Sequence, residues 1–106
     1  MGSYDKVVIV YRTYLIQFEL NGILYSELMI DSHYELKHKE SINDELIIVL
    51  VLTLHKSFVD EQTLSKSGYK FYEVDVELKN KLYRLVLTTP PDYSFLGVRN
   101  AYRRSK

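Results

Sequence analysis

The feature that most restricts the fold is a strict two-residue alternation running through the last third of the chain. In Lys81–Thr89, Leu82, Arg84, Val86 and Thr88 fall on one side, and Tyr83, Leu85, Leu87 and Thr89 on the other. A period of two is the signature of a strand with one buried face. Pro90-Pro91-Asp92 cannot continue a central strand and marks a turn. From Ser94 to Tyr102 the alternation resumes, sending Phe95, Gly97, Arg99 and Ala101 to one face and Leu96, Val98, Asn100 and Tyr102 to the other. Upstream, Tyr69–Leu78 alternates in the same way, with Lys70, Tyr72, Val74, Val76 and Leu78 as its core-facing set. Lys79-Asn80-Lys81 is the tight turn between these two strands.

The other end of the chain carries a second hairpin signal. Lys6–Leu20 and Ile23–Ile30 are rich in Val, Ile, Leu and aromatic residues, which favour strands. They flank Asn21-Gly22, a pair suited to a turn with positive φ at both positions. Between the two hairpins the grammar changes. Ser32 with Glu35 has the capping-box form of a helix start. Ser41-Ile42-Asn43-Asp44-Glu45 is a second start, with acidic groups where a helix dipole favours them. The run Leu46–Leu54 has strand-like composition, but the start signals and the length from Asn43 to Lys56 favour a helix. Such a helix is apolar nearly all round, which predicts a covering layer on both sides, a second subunit being one candidate. Residues 56–68 read as a loop. The order predicts a single α+β domain over residues 1–106: an antiparallel sheet of about five strands with one or two helices packed on one face.

Composition limits the function classes. With no cysteine, a disulfide framework and a thiolate metal site are both excluded. The longest apolar run, Leu46–Leu52, is far short of the ~20 residues of a membrane span, and no signal-peptide pattern opens the chain, so a cytoplasmic protein is expected. The formal net charge is zero but unevenly spread: residues 1–60 hold five Lys/Arg against nine Asp/Glu, and residues 61–106 hold nine against five. The basic C-terminal part suits a phosphate-bearing ligand.

No phosphate loop, dinucleotide fingerprint or nucleophile elbow is present. His33 and His38 are five apart, not the three or four that would put two ligands on one helix face, so neither a metal nor another cofactor is expected. As proton-transfer groups the two histidines suit cleavage of RNA by its own 2′-hydroxyl. That reaction needs a base, an acid and a cation beside the phosphate. His33, His38, Lys37 and Glu35 are the acid–base candidates, and Arg84, Arg99 and Arg103 the cationic ones. Tyr83 or Tyr102 would stack an unpaired base or donate a proton.

The ending YRLVLTTPPDYSFLGVRNAYRR, after a helix starting near His33, resembles the small nucleases of the barnase–EndoU–colicin–RelE superfold. In those proteins one or two helices precede an antiparallel sheet that often closes on an Ala/Thr-Tyr-Arg ending, here Ala101-Tyr102-Arg103. The stretches Ile30–His38 and Ser41–Leu46 also resemble small phage and toxin-like proteins of that group. The resemblance covers roughly residues 16–104. It implies a metal-independent ribonuclease of toxin type that binds RNA, free or on the ribosome, on the sheet face. It also implies His33, His38, Arg99, Tyr102 and Arg103 as catalytic residues and extends to Arg84; with the residue chemistry above, Lys37, Tyr83 and Arg84 are expected to bind substrate. A small protein inhibitor is the implied partner. An alternative class is a non-catalytic interaction protein, immunity- or antitoxin-like or a phage inhibitor. Ten tyrosines and the acidic row Glu73, Asp75 and Glu77 suit such a surface. A third class, an RNA-binding module without catalysis, shares the basic strand.

Overall fold

Both hairpin turns take the backbone their sequences call for. Asn21 and Gly22 have φ of 53° and 77°, and Lys79 and Asn80 have φ of 52° and 66°, so each turn matches the right-handed twist of its strands. In the computed structural model, which describes residues 9–64 and 66–105, the N-terminal hairpin is broken in two. Its outer parts are β1 (Tyr11–Tyr14) and β4 (Leu28–Asp31), and its inner parts are β2 (Phe18–Leu20) and β3 (Ile23–Tyr25). β2 and β3 form a small two-stranded sheet of their own. That small sheet is tied to the end of the long helix by Lys56 N donating to Glu19 O and Asn21 N donating to Ser57 O. The predicted start of the hairpin at Lys6 lies outside the described residues.

After β4 the chain makes a 3-10 turn (Ser32–Tyr34) that runs into the short helix α1 (Glu35–His38), then the longer helix α2 (Asp44–Thr53). The strand-like run Leu46–Leu54 is therefore helical. Asn43 caps it, accepting a hydrogen bond from Leu46 N at 2.8 Å, and Asp44 and Glu45 fill its first turn. Ile47, Leu50 and Val51 are buried, while Val49 and Leu52 stay exposed.

The remaining strands are β5 (Glu61–Leu64), β6 (Lys70–Leu78), β7 (Lys81–Thr89) and β8 (Leu96–Arg104). The main sheet is six-stranded in the order β1-β4-β8-β7-β6-β5. The α+β architecture is as expected, with two amendments. Residues 56–68 are not all loop, because β5 pairs antiparallel with β6 around a bulge between Glu61 and Thr63. Its place comes from backbone pairing with a long neighbour rather than from an apolar alternation of its own. The sheet is also mixed: β4 runs parallel to β8, with Leu28, Met29 and Ile30 beside Leu96, Gly97 and Val98.

One face of the main sheet carries the core. Leu28 and Ile30, Tyr72 and Val76, Tyr83, Leu85 and Leu87, Leu96, Val98 and Ala101 meet Ile47, Leu50 and Val51 of α2 and Phe18, Leu20 and Tyr25 of the small sheet. Each fully buried Leu, Ile or Val contributes about 1.5–3 kcal/mol. Helix α2 and the small sheet bury their apolar sides there, while α1 contributes no buried residue. Among the described residues, no helix or second sheet covers the opposite face of the main sheet, which is open.

Candidate functional site

What reaches the open face is decided by one irregularity in β8. Leu87 lies opposite Val98, but the next residue back, Val86, lies opposite Asn100, so Arg99 is an extra residue in the ladder. An inserted residue reverses the phase of everything beyond it. Ala101, expected beside Arg99, lies instead opposite Leu85 in the core and is 0% exposed. Tyr102, expected with Leu96 and Val98, lies opposite Arg84 on the open face. The bulge thus gathers Arg99, Asn100 and Tyr102 on the side that carries Phe71, Arg84 and Val86.

The histidines arrive from the neighbouring element. The pairing of β4 with β8 ends at Ile30 and Val98, and the chain then turns into the 3-10 segment beside the second half of β8. Asp31 starts that turn, its Oδ1 accepting from His33 N at 2.8 Å. Ser32, expected to be the cap, instead accepts from Val10 N at 2.9 Å. Tyr34 is driven into the core, 2% exposed. His33 and Lys37 are left exposed and His38 half-buried. These three side chains and Asn100 line a cleft of about 160 Å³. The His38 ring stacks on Tyr102, centroids 5.4 Å apart and planes 29° apart. His33, Asn100 and Arg99 also border a larger depression with Phe71 and Val86.

The cations differ in their freedom. Arg99 has a half-exposed side chain, with Nε 3.8 Å from Asp31 Oδ2 and its guanidinium 5.8 Å from the centre of the Phe71 ring. Arg84 and Arg104 are engaged, donating to Asp75 at 2.9 Å and 2.8 Å. The Arg84 hydrogen bond, outweighing partial desolvation, lowers the Asp75 carboxyl below its ordinary range. Two of the expected site residues lie elsewhere. Tyr83 is 5% exposed and packs in the core. Arg103 lies opposite Tyr83, so its side chain leaves from the core-side face, where it borders a shallow basic cleft with Lys81 and Arg104. Asn100 and Asp31 join the group without any sequence signal. The bulge brings in the first, and the strand-to-turn junction the second.

Beneath the 3-10 segment lies a polar clamp. The Asp44 carboxylate accepts from Arg12 Nε at 2.6 Å, Arg12 Nη2 at 2.9 Å, and the hydroxyls of Tyr14 and Tyr34 at 2.5 and 2.7 Å. Burial opposes its ionisation, but these hydrogen bonds win and hold the carboxyl at about 2. The same contact pushes the Tyr34 hydroxyl, already raised by burial, well above its ordinary value. Through Tyr34 the clamp fixes the segment bearing His33, Lys37 and His38 against β1 and α2.

Two imidazoles, an ammonium, a carboxamide and a guanidinium thus border adjoining hollows beside exposed aromatic surface. Such a set can hold a phosphodiester, transfer protons and stack bases. Among the described residues, no three His, Cys, Asp or Glu side chains cluster to hold a metal ion, and no helix is long and apolar enough to cross a membrane. No protein-family model, curated protein or solved structure matches the chain.

Proposed function

We propose that the open sheet face binds single-stranded RNA and cleaves it, without a metal ion, by attack of a 2′-hydroxyl on the adjacent phosphorus. One of His33 and His38 takes the 2′-hydroxyl proton. The new P–O2′ bond forms as the P–O5′ bond breaks, and the other histidine returns a proton to the leaving 5′-oxygen. Arg99, with Lys37 and Asn100, faces the charge that builds on the phosphoryl oxygens. Tyr102, braced by His38 and next to Arg84, offers a stacking surface for a base. The products are a 2′,3′-cyclic phosphate and a 5′-hydroxyl. The observation that carries this reading is the bulge at Arg99, which puts a half-free guanidinium on the same side of the sheet as both histidines.

The test is labelled single-stranded RNA in excess EDTA, with and without translating ribosomes, comparing wild type with His33→Ala and Arg99→Ala. Wild type should give cyclic-phosphate ends in at least one setting, and each variant should cut about 10²-fold more slowly or worse. Melting temperatures should stay within a few degrees, because exposed ion pairs add about 0–1 kcal/mol. Intact RNA in both settings, or variants as fast as wild type, would refute the assignment. A second reading, a non-catalytic interaction protein, draws on Leu15, Leu24 and Phe58, which are 83%, 68% and 81% exposed. Intact RNA in both settings would favour it. An inhibitory protein, the ribosome or a second copy of the chain would then be the partners to examine.

A further inference from the structure

Next to the proposed cleavage site, the open face holds a further cleft of about 330 Å³ that no step of the cleavage uses. It lies within the size range of small-molecule sites. Tyr11, Tyr69 and Phe95 supply aromatic walls, and Gly97 lies on its floor. The floor is closely packed, since a Cβ at Gly97 would come within 3.0 Å of the Thr88 methyl and 3.5 Å of the Phe95 ring. Asp31 and Arg99 border both this cleft and the depression beside His33.

Asp31 is the unusual member. Its side chain is 8% exposed, and among the described residues Arg99 Nε lies 3.8 Å from its Oδ2, too long for a hydrogen bond. Oδ1 accepts from His33 N and keeps a second lone pair. No buried side-chain oxygen among the described residues lacks a hydrogen-bond partner, so burial makes no demand here. The Asp31 carboxylate, lining an aromatic-walled cleft, offers acceptors to a flat ligand that brings N–H donors. Nucleobases are flat, and adenine, cytosine and guanine carry an exocyclic amino group. Uracil offers a single N–H flanked by two carbonyl oxygens, which a carboxylate repels.

We infer that this cleft is a subsite for one base of a single strand and that Asp31 makes it select amino-bearing bases over uracil. The inference rests on the RNA reading above and names the base class that the same face admits. Arg99 serves both hollows, balancing the Asp31 charge on one side and meeting phosphate on the other.

Binding can be separated from cleavage with uncleavable 2′-O-methyl tetranucleotides. Fluorescein-labelled tetracytidylate and tetrauridylate have nearly the same size and equal charge, and differ at the edge that Asp31 would read. Wild type should bind the cytidine probe at least ten-fold more tightly in fluorescence anisotropy. Asp31→Asn preserves the cap of the 3-10 turn, because Asn caps as well as Asp, and its amide can either accept or donate. That variant should bring the ratio close to one. Tyr11→Leu should weaken both probes and leave the ratio as it was. Equal affinities in wild type, or a preference that survives in Asp31→Asn, overturn the subsite while leaving the RNA reading intact. No binding of either probe, with protein concentration raised to its solubility limit, overturns both. Unlabelled CMP competing as well as the unlabelled cytidine tetramer would assign the cleft to free nucleotides rather than to a strand.

Discussion

Asp44→Asn is the substitution that most directly tests how the histidine-bearing segment is held. The native carboxylate sits at about 2 against an ordinary 3.8. At about 1.4 kcal/mol for each tenfold change in proton affinity, it contributes roughly 2 kcal/mol. Its side chain is 14% exposed and its Arg12 partner 32% exposed, so solvent screens the pair only in part. Arg12 also keeps Glu35 at 3.2 Å, which limits the penalty of losing Asp44, and the expected cost at pH 7 is about 2–3 kcal/mol. With the urea dependence usual for small domains, the unfolding midpoint should fall by about 1–2 M. Tyrosine fluorescence can follow the transition, since the chain has ten Tyr and no Trp. The sign of the pH dependence is fixed. A carboxyl lowered in the folded state stabilises above its unfolded value, and that stability is lost as pH falls through about 4 towards 2. The gap between wild type and variant should therefore shrink to well under half its pH 7 size by pH 2. Equal gaps at pH 7 and pH 2, or a gap below about 0.5 kcal/mol at pH 7, would refute the clamp.

Three further variants examine the frame of the fold. Ala101→Lys should cost more than about 3 kcal/mol in urea unfolding because it buries an unpaired ammonium, while Tyr102→Lys should cost about 1 or less; the reverse order would mean that the phase change at Arg99 is wrong. Replacing Lys79-Asn80 by Asn-Gly should add about 0.5–1 kcal/mol, since both positions already have positive φ, and a loss of stability would contradict the turn type.

The sequence made local features legible and left the long-range ones hidden. Tyr69–Leu78 and Lys81–Thr89 show their core faces plainly, because an uninterrupted antiparallel pair with a two-residue turn preserves alternation from end to end. Asn43 and the acidic pair after it outweighed the strand-like composition of Leu46–Leu54, since a cap acts on the backbone whatever the following side chains are. The bulge left no mark. Arg99 and Asn100 carry no bulge signal as residue types, and only the buried Ala101 between polar neighbours records the change of phase. The parallel pairing of β4 with β8 and the edge strand β5 were equally silent, because backbone hydrogen bonds to distant segments require no particular side chains. His33, His38, Lys37 and Arg99 were legible as residue types. Their convergence, and the removal of Arg103 from it, came from the register of β8, whereas Tyr83 follows the β7 alternation into the core.

The parallel pairing has a consequence for the order in which the molecule can assemble. Among the described residues, β8 joins β1-β4 on one side of the sheet to β7-β6-β5 on the other by strand pairing. In a chain emerging from the ribosome N-terminus first, the two halves form as separate pieces, and β4 waits with one edge unsatisfied until residues 96–104 are free to insert. That insertion closes the sheet, buries Ala101 and delivers Arg99, Asn100 and Tyr102 to the histidines in a single event. The open face therefore stays incomplete until then: a nascent chain lacking its last strand carries both imidazoles and Lys37 but not Arg99, Asn100 or Tyr102.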